Sequence, residues 1–193
     1  MPLPIRKTGK KRRRIKDLIP SNARWFLADL LGIDKTFTED DLTQDELGWL
    51  KEFVSKKYAS QEDRPDTYAA NLYDTYDSKG VDPLARVKGT DSLLGLIKES
   101  YDPASSLATT LGQFGVSKDD KGNFIATDNY DFNWFSEMTE NMTTADALKG
   151  IFQQLKGGNP YKAMGIIAGK LGTSEYEKAG NPVRINLGNL LNY

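Results

Sequence analysis

Apolar residues recur at helical spacing in several stretches of the 193-residue chain. Ser21 is placed as an N-cap for a helix over Asn22 to Leu31, with Trp25, Phe26, Leu27, Leu30 and Leu31 forming an apolar stripe and Gly32 stopping it. Thr43 and Glu46 form a Thr-x-x-Glu capping box, after which Leu47, Leu50, Phe53, Val54 and Tyr58 predict a helix to about Ala59. Gln61 to Pro65 reads as a loop. Asp91 to Tyr101, carrying Leu93, Leu94, Leu96 and Ile97, predicts a short helix closed by Asp102-Pro103. Thr144 then caps a helix bearing Ala147, Leu148, Ile151, Phe152 and Leu155. Gly157-Gly158 ends it, and Asn159-Pro160 opens a partner helix bearing Met164, Ile166, Ile167 and Leu171.

Between these segments the period changes. Thr109 to Val116 is β-compatible, Ser117 to Asn123 is a polar turn, and Phe124 to Tyr130 resumes an extended pattern, which predicts a hairpin. Val183, Ile185 and Leu187 alternate with Arg184 and Asn186 and predict a last strand. The expected fold class is α+β, a small antiparallel sheet of hairpin plus C-terminal strand packed with several amphipathic helices. Residues 21–193 are expected to form a single domain, with Trp25, Phe26, Leu50, Phe53, Leu148, Phe152, Ile167 and Ile185 in its core.

Charge alters this picture at the N-terminus. Arg6, Lys7, Lys10, Lys11, Arg12, Arg13, Arg14 and Lys16 place eight cations within residues 6–16, with no acid among them. The rest of the chain holds the other 18 basic residues against all 27 acidic ones. Such a run repels itself, so residues 1–20 are expected to form a disordered basic arm on an acidic body. The arm suits DNA phosphates, which it would bind by counterion release, and it equally suits a solubilising tail.

Absent residue types exclude whole chemistries. Without cysteine or histidine there is no disulfide, thiolate nucleophile, Ser-His-Asp triad or zinc site of the usual ligands. A hydrolase would have to use carboxylates, Lys, Tyr or carboxylate-bound magnesium. No cofactor is expected, and the balance stands against an enzyme. No stretch is long and apolar enough to span a membrane, and the N-terminal residues hold no apolar signal-peptide core, so export by that route is not expected.

The candidate motifs are short. Tyr68, Tyr73 and Tyr76 among Asp66, Asp74 and Asp77 suit sugars or cations, and suit buried tyrosines with their hydroxyls at the surface. Asp119 to Asn123 misses the EF-hand spacing and lacks its glutamate. The glycines from Gly157 to Gly172 do not fit a phosphate loop, and Gly165 and Gly169 suit close helix packing. In Thr127 to Trp134, Asp128, Tyr130 and Asp131 supply a magnesium ligand and a base, or else a strand end whose side chains cap the next turn.

Thr110-Leu111-Gly112-Gln113-Phe114, Asp120 to Phe124, Thr127 to Asn133 and Arg184 to Gly188 resemble a module of virion-associated proteins of tailed bacteriophages. The likeness covers roughly the C-terminal half and is weaker over Phe37 to Tyr58. It implies a structural or accessory virion protein, made in the host cytoplasm, with other virion proteins and DNA as partners and its oligomeric state open. Asp128, Tyr130 and Asp131 are also similar to part of the active-site motif of the colicin M family. That likeness implies, as an alternative, magnesium-dependent cleavage of lipid-linked peptidoglycan precursor, but the family's following His-Arg pair is missing here. A nucleic-acid-binding effector is the third reading.

Overall fold

The computed structural model describes residues 19–31, 33–74, 83–130, 142–171 and 181–191. Among them are seven α-helices: α1 (Ser21–Leu30), α2 (Gln44–Ala59), α3 (Pro83–Lys88), α4 (Leu93–Ser100), α5 (Pro103–Thr110), α6 (Thr144–Lys156) and α7 (Pro160–Leu171). Four strands, β1 (Thr67–Asn71), β2 (Gln113–Lys118), β3 (Phe124–Tyr130) and β4 (Asn181–Gly188), form one sheet in the order β1-β2-β3-β4 with every pair antiparallel. The α+β class is therefore the observed one. The eight cations of the basic arm lie outside the described residues, whereas Ile19 and Pro20 at its end are described, and Pro20 is buried.

Helix α2 forms for the local reason its sequence announces. Thr43 Oγ1 accepts from the Glu46 N–H at 3.1 Å, and Glu46 Oε2 accepts from the Thr43 N–H at 2.7 Å. The other carboxylate oxygen does more. Glu46 is 2% exposed, and its Oε1 accepts from the Ser21 N–H and the Ser21 hydroxyl at 2.9 Å each and from the Ser106 hydroxyl at 2.5 Å. Ser21 is thus a fully buried first residue of α1 whose hydroxyl serves Glu46, and not the free N-cap that its sequence position suggests.

The core lies between the sheet and helices α1, α2 and α5. Trp25 stacks on Phe37 with ring centroids 4.4 Å apart, and Leu50, Val54, Leu107, Phe114, Phe124, Ile185 and Leu187 are among the other members of the buried cluster. Strand alternation puts Tyr68 and Ala70, Phe114 and Val116, Phe124 and Ala126, and Val183, Ile185 and Leu187 on that face. A thinner contact of Val87, Leu96 and Met164 joins α3, α4 and α7.

Several local expectations are corrected. Asp102-Pro103 does not merely close α4. Asp102 Oδ2 accepts from the Ser105 N–H at 2.9 Å and Pro103 opens α5, so Thr109 and Thr110 are helical and β2 begins only after Gly112, at φ +51°. Strand β1 and helix α3 were not expected. Thr143, one residue earlier than expected, caps α6 by accepting from the Asp146 N–H at 3.1 Å.

Core membership also differs. Trp25, Leu50 and Ile185 are fully buried, and Phe26, Phe53 and Ile167 are half-buried. Leu148 and Phe152 are exposed, at 60% and 69%, as are Leu27 and Leu31. Helices α6 and α1 have apolar faces wider than the surfaces they pack on. Leu50→Ala is therefore expected to cost about 2–5 kcal/mol, lowering the melting temperature by roughly 5–20 °C. Phe152→Ala should stay within about 0.5 kcal/mol of the parent. Paired thermal melts check both, and a large loss for Phe152→Ala would return that ring to the core.

Candidate functional site

The residue singled out in β3, Asp128, stands at the end of the sheet where α5 runs into β2. Tyr73, Thr109, Thr110, Leu111, Gly112, Gln113, Asp128 and Asn129 line a notch of about 260 Å³ there. Strand pairing explains the placement, because Asp128 sits opposite Val183 one pleat beyond buried Ala126 and so emerges where the core ends. Its Oδ1 accepts from the Asn129 N–H at 2.8 Å. Gly112 makes the notch: a β-carbon there would lie 2.1 Å from the Tyr73 hydroxyl, and φ +51° already disfavours a side chain.

Of the other residues that sequence reasoning named, Tyr130 contributes its backbone to β3, while Asp131 and the eight arm cations lie outside the described residues. Of the Asp-Tyr-Asp set the structure places Asp128 at the notch, and no other carboxylate among the described residues lines it. Among the described residues no group of three or more Asp and Glu side chains is arranged to hold a metal ion. The notch is lined by one carboxylate, a phenol, two amides and two threonines whose hydroxyls already donate to helix carbonyls of Ser105, Ser106 and Leu107. Tyr73 was singled out in the tyrosine–aspartate cluster, but its place beside Asp128 was not, and the Thr109 and Thr110 walls were missed because a helix was read as a strand; the signal that could have found α5 is Asp-Pro at an N-cap and first helical position.

The Asp119 turn is committed to itself. Asp119 Oδ1 accepts from the Lys121 and Asn123 N–H groups at 2.9 and 2.7 Å, and Oδ2 accepts from the Asn123 amide at 3.0 Å. These bonds, that of the Asn123 side chain foremost, hold the Asp119 carboxyl below its usual range. Tyr68 also has a structural part. Its hydroxyl donates to Val54 O at 3.2 Å, and burial, with Tyr58 nearby, pushes its phenol up to about 12.

No protein family, curated protein or solved structure matches the chain. No helix among the described residues is long and apolar enough to cross a membrane.

Two outcomes follow for solution work. A phenol whose pKa is raised on folding stabilises the fold fully below about pH 10, and that contribution is lost as pH rises towards 12. Alkaline unfolding of the parent should accordingly be steeper than that of Tyr68→Phe over this window, as followed by circular dichroism. For the notch, incubation with lipid II and magnesium should release no pyrophosphorylated disaccharide-peptide. Turnover that Asp128→Ala abolishes would make the notch a catalytic centre.

Proposed function

We propose that the chain is a non-enzymatic structural or accessory component of a tailed-bacteriophage particle. Its body docks on another virion protein and its basic arm contacts DNA. The observation that carries the docking part is the uncovered apolar row of α6. Ala147 faces the interior, 2% exposed, whereas Leu148, Phe152 and Leu155, at i, i+4 and i+7, are 60%, 69% and 45% exposed. Helix α4 repeats the pattern, with Leu94, Ile97 and Tyr101 at 77%, 48% and 60% around buried Leu96.

Both helices pack on α7, so the rows belong to one helical layer. Apolar surface gains roughly 25 cal/mol for each Å² removed from water, which favours a partner over these rows. Exposed Lys98, Lys149 and Lys156 edge them, so the complementary surface is apolar with carboxylates at its rim. The particle assignment is supported by the likeness of Thr110 to Phe114, Asp120 to Phe124, Thr127 to Asn133 and Arg184 to Gly188 to the virion-associated module. The arm's part is supported by its charge, which matches a phosphate backbone without any base contact.

Purified particles of the source phage should contain the chain, and Leu148→Lys/Phe152→Lys, which leaves the core untouched, should be missing from them. Deleting residues 1–16 should remove DNA binding that in the parent falls steeply with salt and ignores sequence. A chain absent from particles overturns the virion reading, and undiminished DNA binding by the truncated chain overturns the arm's role.

A further inference from the structure

The two edges of the sheet are treated in opposite ways. Along β4 each outward backbone donor is accounted for. Arg184 N donates to Phe37 O at 2.8 Å, Asn186 N donates to Glu39 Oε2 at 3.0 Å, Gly188 N donates to Asn186 Oδ1 at 2.9 Å, and Pro182 has no N–H. Phe37 closes this edge further by donating its own N–H to Pro182 O at 2.9 Å. Along β1 nothing comparable is found. Lys118 N donates to Asp66 O and Leu72 N to Gly112 O, which sets Tyr68 and Ala70 as the residues bonded to β2 and turns the N–H and C=O of Thr67, Ala69 and Asn71 outward. None of these outward groups has a hydrogen-bond partner among the described residues.

Beside this open edge the outer face of the sheet is hollow. Ala69 faces Gly115, and Gly115 faces Thr127, so small residues run across three strands. They leave a shallow depression of about 400 Å³ bounded also by Thr67 and Ser117. A strand laid along β1 would place one side chain next to Ala69, where a large one can lean over Gly115 and fill the depression. A second copy pairing β1 with β1 about Ala69 would bring only another alanine there. The segment leading into β1 is acidic as well: within residues 61–67, Glu62, Asp63 and Asp66 are exposed beside one exposed cation, Arg64. Lys118, the cation paired near Asp66, has its ammonium 5.7 Å from the centre of the Tyr58 ring.

The geometry points to β1 as a docking edge for an extended peptide segment of a partner protein. That segment adds as a fifth strand, carries a large apolar side chain opposite Ala69, and has Lys or Arg at the end lying against Glu62, Asp63 and Asp66. The edge is separate from the α4 and α6 rows and stands or falls without them.

The test pans a random decapeptide library against the full chain and measures recovered peptides by fluorescence polarisation. Alternating peptides with one large central apolar residue and a basic end are expected. Ala69→Pro should weaken them at least tenfold at unchanged melting temperature, because the lost N–H faces away from β2. Should that variant melt early, Thr67→Pro at the first residue of the strand replaces it with the same expectation. Gly115→Val should weaken peptides with a large central residue and spare those with alanine there. Leu148→Lys/Phe152→Lys should bind them as the parent does. The proposal is overturned by failure to recover such peptides, by equal binding to both proline variants, by loss of binding in Leu148→Lys/Phe152→Lys, or by a dimer of the chain that Ala69→Pro dissociates.

Discussion

The buried carboxylate of Glu46 is the constraint on which the rest of the packing depends. Polar oxygens withdrawn from water are tolerated only when donors reach them, and here the donors come from three separate places: Ser21 of α1, Thr43 ahead of α2 and Ser106 of α5. Each buried donor left without its acceptor costs roughly 1–3 kcal/mol, so the three helices cannot shift independently. Their mutual placement in turn sets the floor under the sheet. Leu50 and Val54 from α2, Trp25 from α1 and Leu107 from α5 meet Phe114, Phe124 and Ile185 there.

That floor explains where the molecule is finished and where it is open. On the β4 side the chain leading out of α1 returns to the sheet through Phe37, whose ring stacks on Trp25 while its backbone covers the edge. On the other side Tyr68 is held by Val54 O, anchoring β1 from within, and no described residue hydrogen-bonds its outer edge. In the helical layer of α3, α4, α6 and α7, Val87, Leu96 and Met164 meet and Ala147, Ala163 and Ile166 are buried, with Arg86 bridging to Glu99 and lying 3.6 Å from Asp102.

Much of the secondary structure was legible because its signals are local. The capping box of Thr43 and Glu46, the Asp119 to Asn123 turn, Gly157-Gly158 followed by Asn159-Pro160, and the alternation of Val183, Ile185 and Leu187 each complete their hydrogen bonds or their period within a few residues. The errors arose where one local signal served two structures. Asp102-Pro103 can stop a helix or start one, and Thr109-Thr110 is β-prone until Pro103 and the Asp102 cap commit it to α5. Asp128 was readable as a strand-end carboxylate, whereas its notch was not, since Tyr73, Thr109 and Gly112 reach it only through the folding of β1 and α5.

By itself, the sequence determined the α+β class, the clearest helices, the hairpin, the last strand, the division of charge and the exclusion of histidine and cysteine chemistry. Tertiary structure alone decided that Glu46 would join three helices, that Thr67 to Asn71 would be a strand, and that Phe37 would seal one edge while the other stayed open. It also decided that Leu148 and Phe152 would face water although their period is that of core residues. The physical reason is range: capping and periodicity are settled between neighbours in the chain, but burial is settled by which faces meet, and an apolar stripe looks the same in sequence whether its cover is its own fold or another protein.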